Sequence, residues 1–221
     1  MQKLYSLTLL LLLLPLLLCA QEYTTHIRHY NLEQGLKTRD LRYALKDQQG
    51  YLWFTSELGA YRFDGYEFKA YQRVHRGTKP YDMSRCTEDA YGNLWFEHIY
   101  VDGDGCILSV LPKGRDQLIP FEEWSKAGPQ LANQTISKSH FDEQGNVWLI
   151  TEEGAVYEFM GTGFEKILQL PVKAGRKFKR RQLYHITIAK DTVGHRWLTL
   201  EGQLMKLPVG SNELQFRDKL P

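Results

Sequence analysis

The chain has 221 residues, 43% of them hydrophobic and 24% charged, and its 28 basic and 26 acidic side chains leave a formal charge of +2. That near balance excludes a global electrostatic pull toward nucleic acid or an anionic membrane. The length is enough for one domain with a sizeable core.

Residues 1–20 read as an export signal. Lys3 supplies the positive start, residues 9–18 are apolar apart from Pro15, and Cys19-Ala20 precedes the polar Gln21-Glu22. The run is short for a membrane span and stands at the N-terminus, where secretory signals stand. Cleavage is placed after Ala20, although Leu18 is a poor residue for the small position three before the cut. A lipoprotein cut before Cys19, with acylation of that residue, and an uncleaved anchor are the alternatives. Removal leaves 201 residues, a charge of +1 and no second apolar run.

Residues 25–30 alternate in character and predict a strand, followed by a loop over 31–36. From there a seven-residue pattern, Asp-x-x-Gly-x-x-Trp, occurs four times. Its fixed residues are Asp47, Gly50 and Trp53; Asp89, Gly92 and Trp95; Asp142, Gly145 and Trp148; and Asp191, Gly194 and Trp197. Trp-to-Trp steps of 42, 53 and 49 residues match the length of a β-propeller blade, each repeat being one four-stranded sheet. The fold expected is all-β, a partial propeller of about four antiparallel blades over residues 41–71, 84–122, 135–170 and 182–218.

The first repeat is the clearest. Residues 41–46 predict the innermost strand. Asp47 to Gly50 suit a type I turn, with the Asp side chain bonding nearby backbone N–H groups and Gly re-entering the next strand. Residues 51–55, 60–63 and 66–71 predict the remaining strands, with Asp64-Gly65 as a hairpin signal. Tyr51 and Trp53 alternate with Leu52 and Phe54, which suits a sheet covered on both faces. Each repeat Trp is read as packing between blades rather than as a ligand platform.

In the second blade, Asp102 and Asp104 suggest a calcium loop, but the further ligands of an EF-hand are missing and a plain turn is the better reading. Cys86 and Cys106 fall on first and third strands. Two strand spacings exceed the reach of a disulfide, so both are expected as buried free thiols. A short helix is plausible within 121–131. Residues 173–181 hold six basic side chains and Phe178; a solvated inter-blade loop is the leading reading, and a surface for an anionic ligand or partner the alternative. If blade four owns four strands, the strand at 25–30 has no slot, and the chain reads as the opening of a longer propeller with an uncovered apolar face on blade four.

The run from Gln34-Gly35-Leu36 to Tyr71, with its Asp-x-x-Gly-x-Leu-Trp-Phe core and Arg62-Phe63-Asp64-Gly65-Tyr66-Glu67-Phe68, resembles the two-component regulator propeller repeat. The resemblance extends over nearly all of 25–218. It is worn in blade four, where His195-Arg196 replaces Asn-Leu, and blade two lacks the Gly-Leu-x-Arg-Phe-Asp-Gly segment. It implies the N-terminal segment of a periplasmic sensor from a bacterial hybrid two-component system. Such relatives respond to oligosaccharides or other glycan fragments, and their later parts include further blades, a β-sandwich, a membrane helix and a histidine kinase.

No catalytic pattern stands beside this. None of the seven histidines has tight metal-ligand spacing, no nucleophile elbow occurs, and residues 161–166 lack the ending of a phosphate loop. A propeller hydrolase or lyase would place its cluster at the starts of inner strands. The residues expected there are Arg42, Arg85, Ser137, Lys138 and Tyr184, which share no ligand chemistry. No cofactor, metal or nucleic-acid partner is expected. A ligand-sensing module leads, an exported scaffold for another protein follows, and an enzyme comes last.

Overall fold

Each repeat places a turn-forming Asp and Gly between two runs of β-branched and aromatic residues, and each folds as a four-stranded antiparallel sheet in simple up-and-down order. The structure, a computed structural model, describes residues 26–72, 81–102, 105–124, 131, 134–171, 177–183, 185–200, 202–211 and 213–217. The export signal, Cys19, Thr25, Asp104 and Tyr184 lie outside the described residues. The chain divides into two units, Met1–Tyr30 and Asn31–Pro221. In the first, residues 26–30 form no strand. The strand foreseen at 25–30 is therefore not formed over its described part, since a strand needs a partner to satisfy its backbone groups.

Blade one comprises β1 (Leu41–Lys46), β2 (Leu52–Ser56), β3 (Gly59–Phe63) and β4 (Phe68–Gln72). Blade two comprises β5 (Tyr81–Glu88), β6 (Leu94–Tyr100), β7 (Cys106–Leu111) and β8 (Ile119–Pro120), followed by one helical turn, Phe121–Trp124. Blade three comprises β9 (Ile136–Phe141), β10 (Val147–Thr151), β11 (Ala155–Phe159) and β12 (Phe164–Gln169). Blade four comprises β13 (Thr187–Lys190), β14 (Arg196–Leu200), β15 (Gln203–Leu207) and β16 (Gln215–Arg217).

Most strand ends differ from the sequence reading by one or two residues, and two strand starts differ by more. Strand β5 starts at Tyr81 instead of residue 84, because a bulge between Met83 and Arg85 lets the ladder continue to Tyr100. A bulge breaks the period of two, so the pattern ended there in the sequence. In blade four, Arg180–Leu183 forms a 3-10 turn and the first strand starts only at Thr187.

Three clusters hold the blades together, one per joint. Trp53 packs among Met83, Cys86, Leu94 and Phe96 of blade two. Trp95 packs among Phe141, Val147, Leu149, Phe159 and Phe164 of blade three. Trp148 packs among Ile188, Leu198, Met205 and Leu207 of blade four. The repeat Trp thus faces the following blade. The residue after it faces the preceding one, as alternation along a strand requires: Phe96, Leu149 and Leu198 lie in the clusters shared with blades one, two and three.

Candidate functional site

The turn of the repeat does more than reverse the chain. In blade one the Gly50 N–H donates to Asp47 O at 3.0 Å and the Asp47 N–H to Tyr51 O at 3.0 Å. Gly50 has φ 92°, the left-handed conformation that returns a type I turn to its ladder. Asp47 Oδ1 accepts the N–H groups of Gln49 and Tyr51. Its Oδ2 accepts the Trp53 indole N–H at 2.8 Å. Asp89 clasps Trp95 in the same way at 2.8 Å, and Asp191 clasps Trp197 at 2.9 Å. The spacing of six residues between Asp and Trp therefore has a direct cause: the carboxylate fixes the turn with one oxygen and the indole with the other. Blade three departs from this, because Trp148 Nε1 has no acceptor among the described residues and Asp142 Oδ2 takes Asn146 Nδ2 instead.

The worn repeat of blade four keeps the same contacts through different side chains. Asn93 Oδ1 accepts the backbone N–H of Lys113 at 3.0 Å. His195, at the equivalent position, accepts the Val209 N–H on Nδ1 at 3.0 Å.

A buried ion pair ties the second blade to the turn that leads into blade four. Glu97 of β6 is 1% exposed and meets Arg180 through two hydrogen bonds, 3.0 and 3.2 Å. Ser139 of β9 and Ser84 in the β5 bulge donate to its two oxygens at 2.6 and 2.9 Å. Burial alone would raise the Glu97 carboxyl; Arg180 and the serine hydroxyls outweigh it and hold the group below its ordinary value. Beside it, Lys138 Nζ donates to the Leu183 and Ile186 carbonyls at 2.6 and 3.0 Å. Burial and the Arg180 charge pull its ammonium down to about 8. The basic run at 173–181 is thus only partly a solvated loop. Residues 172–176 lie outside the described residues, Lys177 bonds Glu152 at 2.8 Å near the surface, but Arg180 turns inward as a structural bolt. A charge surrounded by complementary donors and acceptors tolerates burial that an isolated one would not.

The register across the second and third strands makes the joints comparable. The residues opposite Trp53, Trp95, Trp148 and Trp197 are Arg62, Val110, Glu158 and Lys206. Val110 belongs to the apolar cluster of its joint. Glu158, 1% exposed, is neutralised from blade four by Lys190 at 2.8 Å and by Arg196. Among the described residues Arg62 makes no ion pair, although its charge helps hold the nearby Asp64 and Asp116 carboxyls below their ordinary value. The positions matching Lys190 and Arg196 are Glu88, which accepts the Gln48 N–H at 2.7 Å, and the apolar Leu94.

A groove of about 270 Å³ opens at this first joint. Arg62, Tyr51, Trp53, Leu94, Lys113 and Arg115 are among its walls. The Arg62 guanidinium lies over the Tyr51 ring at 4.4 Å, and its Nε is enclosed with no acceptor among the described residues. The carboxylates around it are committed. Asp47 holds its turn and Trp53. Asp116 takes Lys69 and the Tyr71 hydroxyl, the latter at 2.7 Å, and Asp64 takes the N–H groups of Tyr66 and Glu67.

Among the described inner-strand residues, Arg85 lies near enough to Lys138 for its charge to help lower that ammonium, and the others are engaged in separate contacts. Arg42 pairs with Asp82 at 2.7 Å and Asp40 at 3.1 Å. The Arg85 guanidinium stands 5.8 Å from the Tyr43 ring and 5.9 Å from the Phe141 ring. Ser137 donates to Phe178 O at 2.6 Å. Cys86 and Cys106 are free and buried, and burial pushes both thiols up to about 12, so they stay protonated and unreactive at neutral pH. No group of three His, Cys, Asp or Glu side chains is placed to hold a metal among the described residues. No helix among them is long and apolar enough to cross a membrane.

No family model and no curated protein matches the chain. Solved structures match at low identity. The extracellular domain of a candidate hybrid two-component system of B. thetaiotaomicron is 20% identical with a TM-score of 0.47, over 87% of this chain and 24% of that one. The extracellular domain of a candidate one-component system of the same organism is 15% identical with a TM-score of 0.50, over 88% and 27%. A catalytically inactive virginiamycin B lyase of Staphylococcus aureus, solved with quinupristin, is 14% identical with a TM-score of 0.51, over 82% and 57%. This likeness is one of fold: the four sheets are blades of a β-propeller. The chain spans about a quarter of the length of the two extracellular domains and 57% of the lyase.

Proposed function

We propose that this chain is a non-catalytic, ligand-sensing propeller segment, the N-terminal part of an exported two-component sensor that responds to glycan fragments in the periplasm. The repeat resemblance supports this, and so does the fold shared with an extracellular domain of a candidate one-component system. The observation that carries it is the pair of outward faces. Trp197 on blade four and Phe54 on blade one are partly exposed, whereas their counterparts in the joints are buried. These faces suit further blades of the same sensor as partners. The inner-strand polar groups described above are spent on structural contacts, which favours binding over turnover.

The test is calorimetry of oligosaccharide fragments on the purified chain and on a version extended through the downstream reading frame. Saturable heat without product is the expected result; product formation would move the reading to a propeller lyase or hydrolase. The second reading is an exported scaffold for another protein, favoured by the same exposed apolar faces. It would be preferred if a defined protein bound those faces and no glycan bound at all.

A further inference from the structure

We infer that the groove at the first joint is an oxyanion site, with Arg62 as its anchor and Lys113 and Arg115 at its rim. The inference rests on the ligand-sensing reading for its biological role, and it names the chemistry that the ligand would bring: a compact molecule carrying a carboxylate, sulfate or phosphate.

The argument comes from comparing equivalent positions. At the third joint the side chain opposite the repeat Trp is Glu158, and blade four supplies Lys190 and Arg196 to match its charge. At the first joint the equivalent charge is Arg62, and the matching positions supply no partner. Glu88 is turned to the Gln48 backbone. Leu94, where blade four has Arg196, is too short and apolar to fill the space, and the groove stands there. A guanidinium half-removed from water needs acceptors, and the nearby Asp64 and Asp116 reach Arg62 through charge at a distance while their hydrogen bonds go to other groups.

The local geometry suits an anion. The contact of the Arg62 guanidinium with the Tyr51 ring at 4.4 Å restrains the group, which costs less ordering when a planar carboxylate or a tetrahedral oxyanion binds it. Lys113 and Arg115 are exposed, and neither side chain makes a hydrogen bond or ion pair among the described residues. Three cations face one opening with two carboxylates, Asp47, which is bonded to neutral N–H groups, and Asp116, which is paired with Lys69, so the lining carries one more positive than negative charge. The size is also selective. Drug-sized ligands occupy about 300–1,000 Å³, so about 270 Å³ takes a smaller one.

The experiment is calorimetry on the purified chain with four probes: sodium sulfate, inorganic phosphate, glucuronate and glucose. Saturable binding of at least one anion, none of glucose at the same concentrations, and weakening with added salt are expected. Arg62→Gln should weaken anion binding by about tenfold or more, the loss of one charge-assisted contact. Lys206→Gln, at the same repeat position in blade four, should change nothing. Leu94→Glu should abolish binding by installing the counter-ion that the third joint has. Circular dichroism and thermal melting check that each variant folds, and if Leu94→Glu does not, Arg62→Gln decides. Glucuronate bound more tightly than sulfate would identify an acidic sugar, and the reverse order a free inorganic anion; both uphold the site. Equal binding by wild type and Arg62→Gln, or no anion binding at all, overturns it. If neutral oligosaccharides bind while Arg62→Gln is silent, the oxyanion site falls and the sensing role stands. If anions bind at Arg62 and no glycan does, the site stands and the glycan reading falls.

Discussion

The second strand of every blade carries two adjacent large residues, one for each face: Trp53-Phe54, Trp95-Phe96, Trp148-Leu149 and Trp197-Leu198. Six of these eight lie in joints and are at most 1% exposed. The other two, Phe54 and Trp197, are the outermost, and both are partly exposed. The eight residues are similar in chemistry and occupy equivalent sites, so their different burial is due to neighbours alone. The repeat makes a blade, and only the next blade makes a core. On blade one the open face also carries Leu52, 37% exposed, and the half-buried Phe63 and Phe68, whose rings stack at 4.7 Å. The covering expected on both sides of that sheet is complete on one and partial on the other, where Tyr61, opposite Phe54, is 2% exposed.

The largest effect should come from removing a tryptophan inside a joint. Trp95→Ala should cost about 3–5 kcal/mol in urea unfolding, the range for an aromatic deleted from a packed core. Trp197→Ala should cost about 1 kcal/mol, since less of that ring leaves water on folding. Equal losses would break the comparison, and would mean that the outer face of blade four is covered in solution, for instance by a second copy.

Glu97→Ala should cost about 3–5 kcal/mol, because it strands a buried guanidinium. Asp82→Ala, which breaks the partly exposed Arg42–Asp82 pair, should cost at most about 1 kcal/mol. Glu97→Met combined with Arg180→Met should recover much of the loss, as apolar replacements of buried pairs do. A double variant no more stable than Glu97→Ala would show that the hydrogen bonds from Ser84 and Ser139, rather than charge pairing, hold this joint.

Acid should test the third joint before the second. His140 Nε2 lies 2.8 Å from Ile188 O, and the ring sits 5.8 Å from that of Trp148. Burial, with the Lys138 charge, pulls His140 down from 6.5 to about 4. Between those values the unfolded chain holds a proton that the folded chain does not, so stability falls as pH drops from about 6.5 to about 4 and this contribution then levels off. The total is on the order of 3 kcal/mol, and His140→Gln should flatten that part of the profile. Glu97 acts lower. Its folded value is depressed, so its contribution is intact above its ordinary 4.5 and is lost as pH falls below that. A profile flat to pH 5 would refute the His140 assignment.

Much of this architecture is legible in the sequence because it rests on local rules. Asp, Gly and Trp at fixed offsets specify a turn and the strand after it, and four copies specify four sheets. The pairing of Arg180 with Glu97 is not legible. It joins residues 83 apart in sequence, and a basic run gives no sign that one member turns inward. The groove is hidden for the same reason: Arg62 reads as an ordinary third-strand residue until the register places it opposite Trp53 and Leu94 takes the place of a counter-ion. The Asp-to-Trp clasp was within reach, since two polar groups six residues apart across a tight turn face each other, yet composition alone does not reveal a bond.

The smallest effect concerns the glycines, and it separates what a turn needs from what a joint needs. Gly50 and Gly145 occupy the same repeat position with φ of 92° and 78°. An Ala at either site meets the left-handed backbone penalty, roughly 1–2 kcal/mol. At Gly50 a Cβ would meet nothing within 4 Å. At Gly145 it would stand 2.8 Å from Glu88 O, at the end of β5, and 3.1 Å from Ala90 N, in the turn that follows. That obstacle is backbone, so relief requires the two turns to separate. Gly145→Ala should therefore destabilise the protein more than Gly50→Ala, by about 1 kcal/mol or more, and by loosening the joint at Phe141 and Val147 it should increase hydrogen exchange in β9 and β10. Equal losses at the two sites would mean that blades two and three touch through their side chains alone, and that the repeat glycine serves its own turn without setting how closely the next blade can approach.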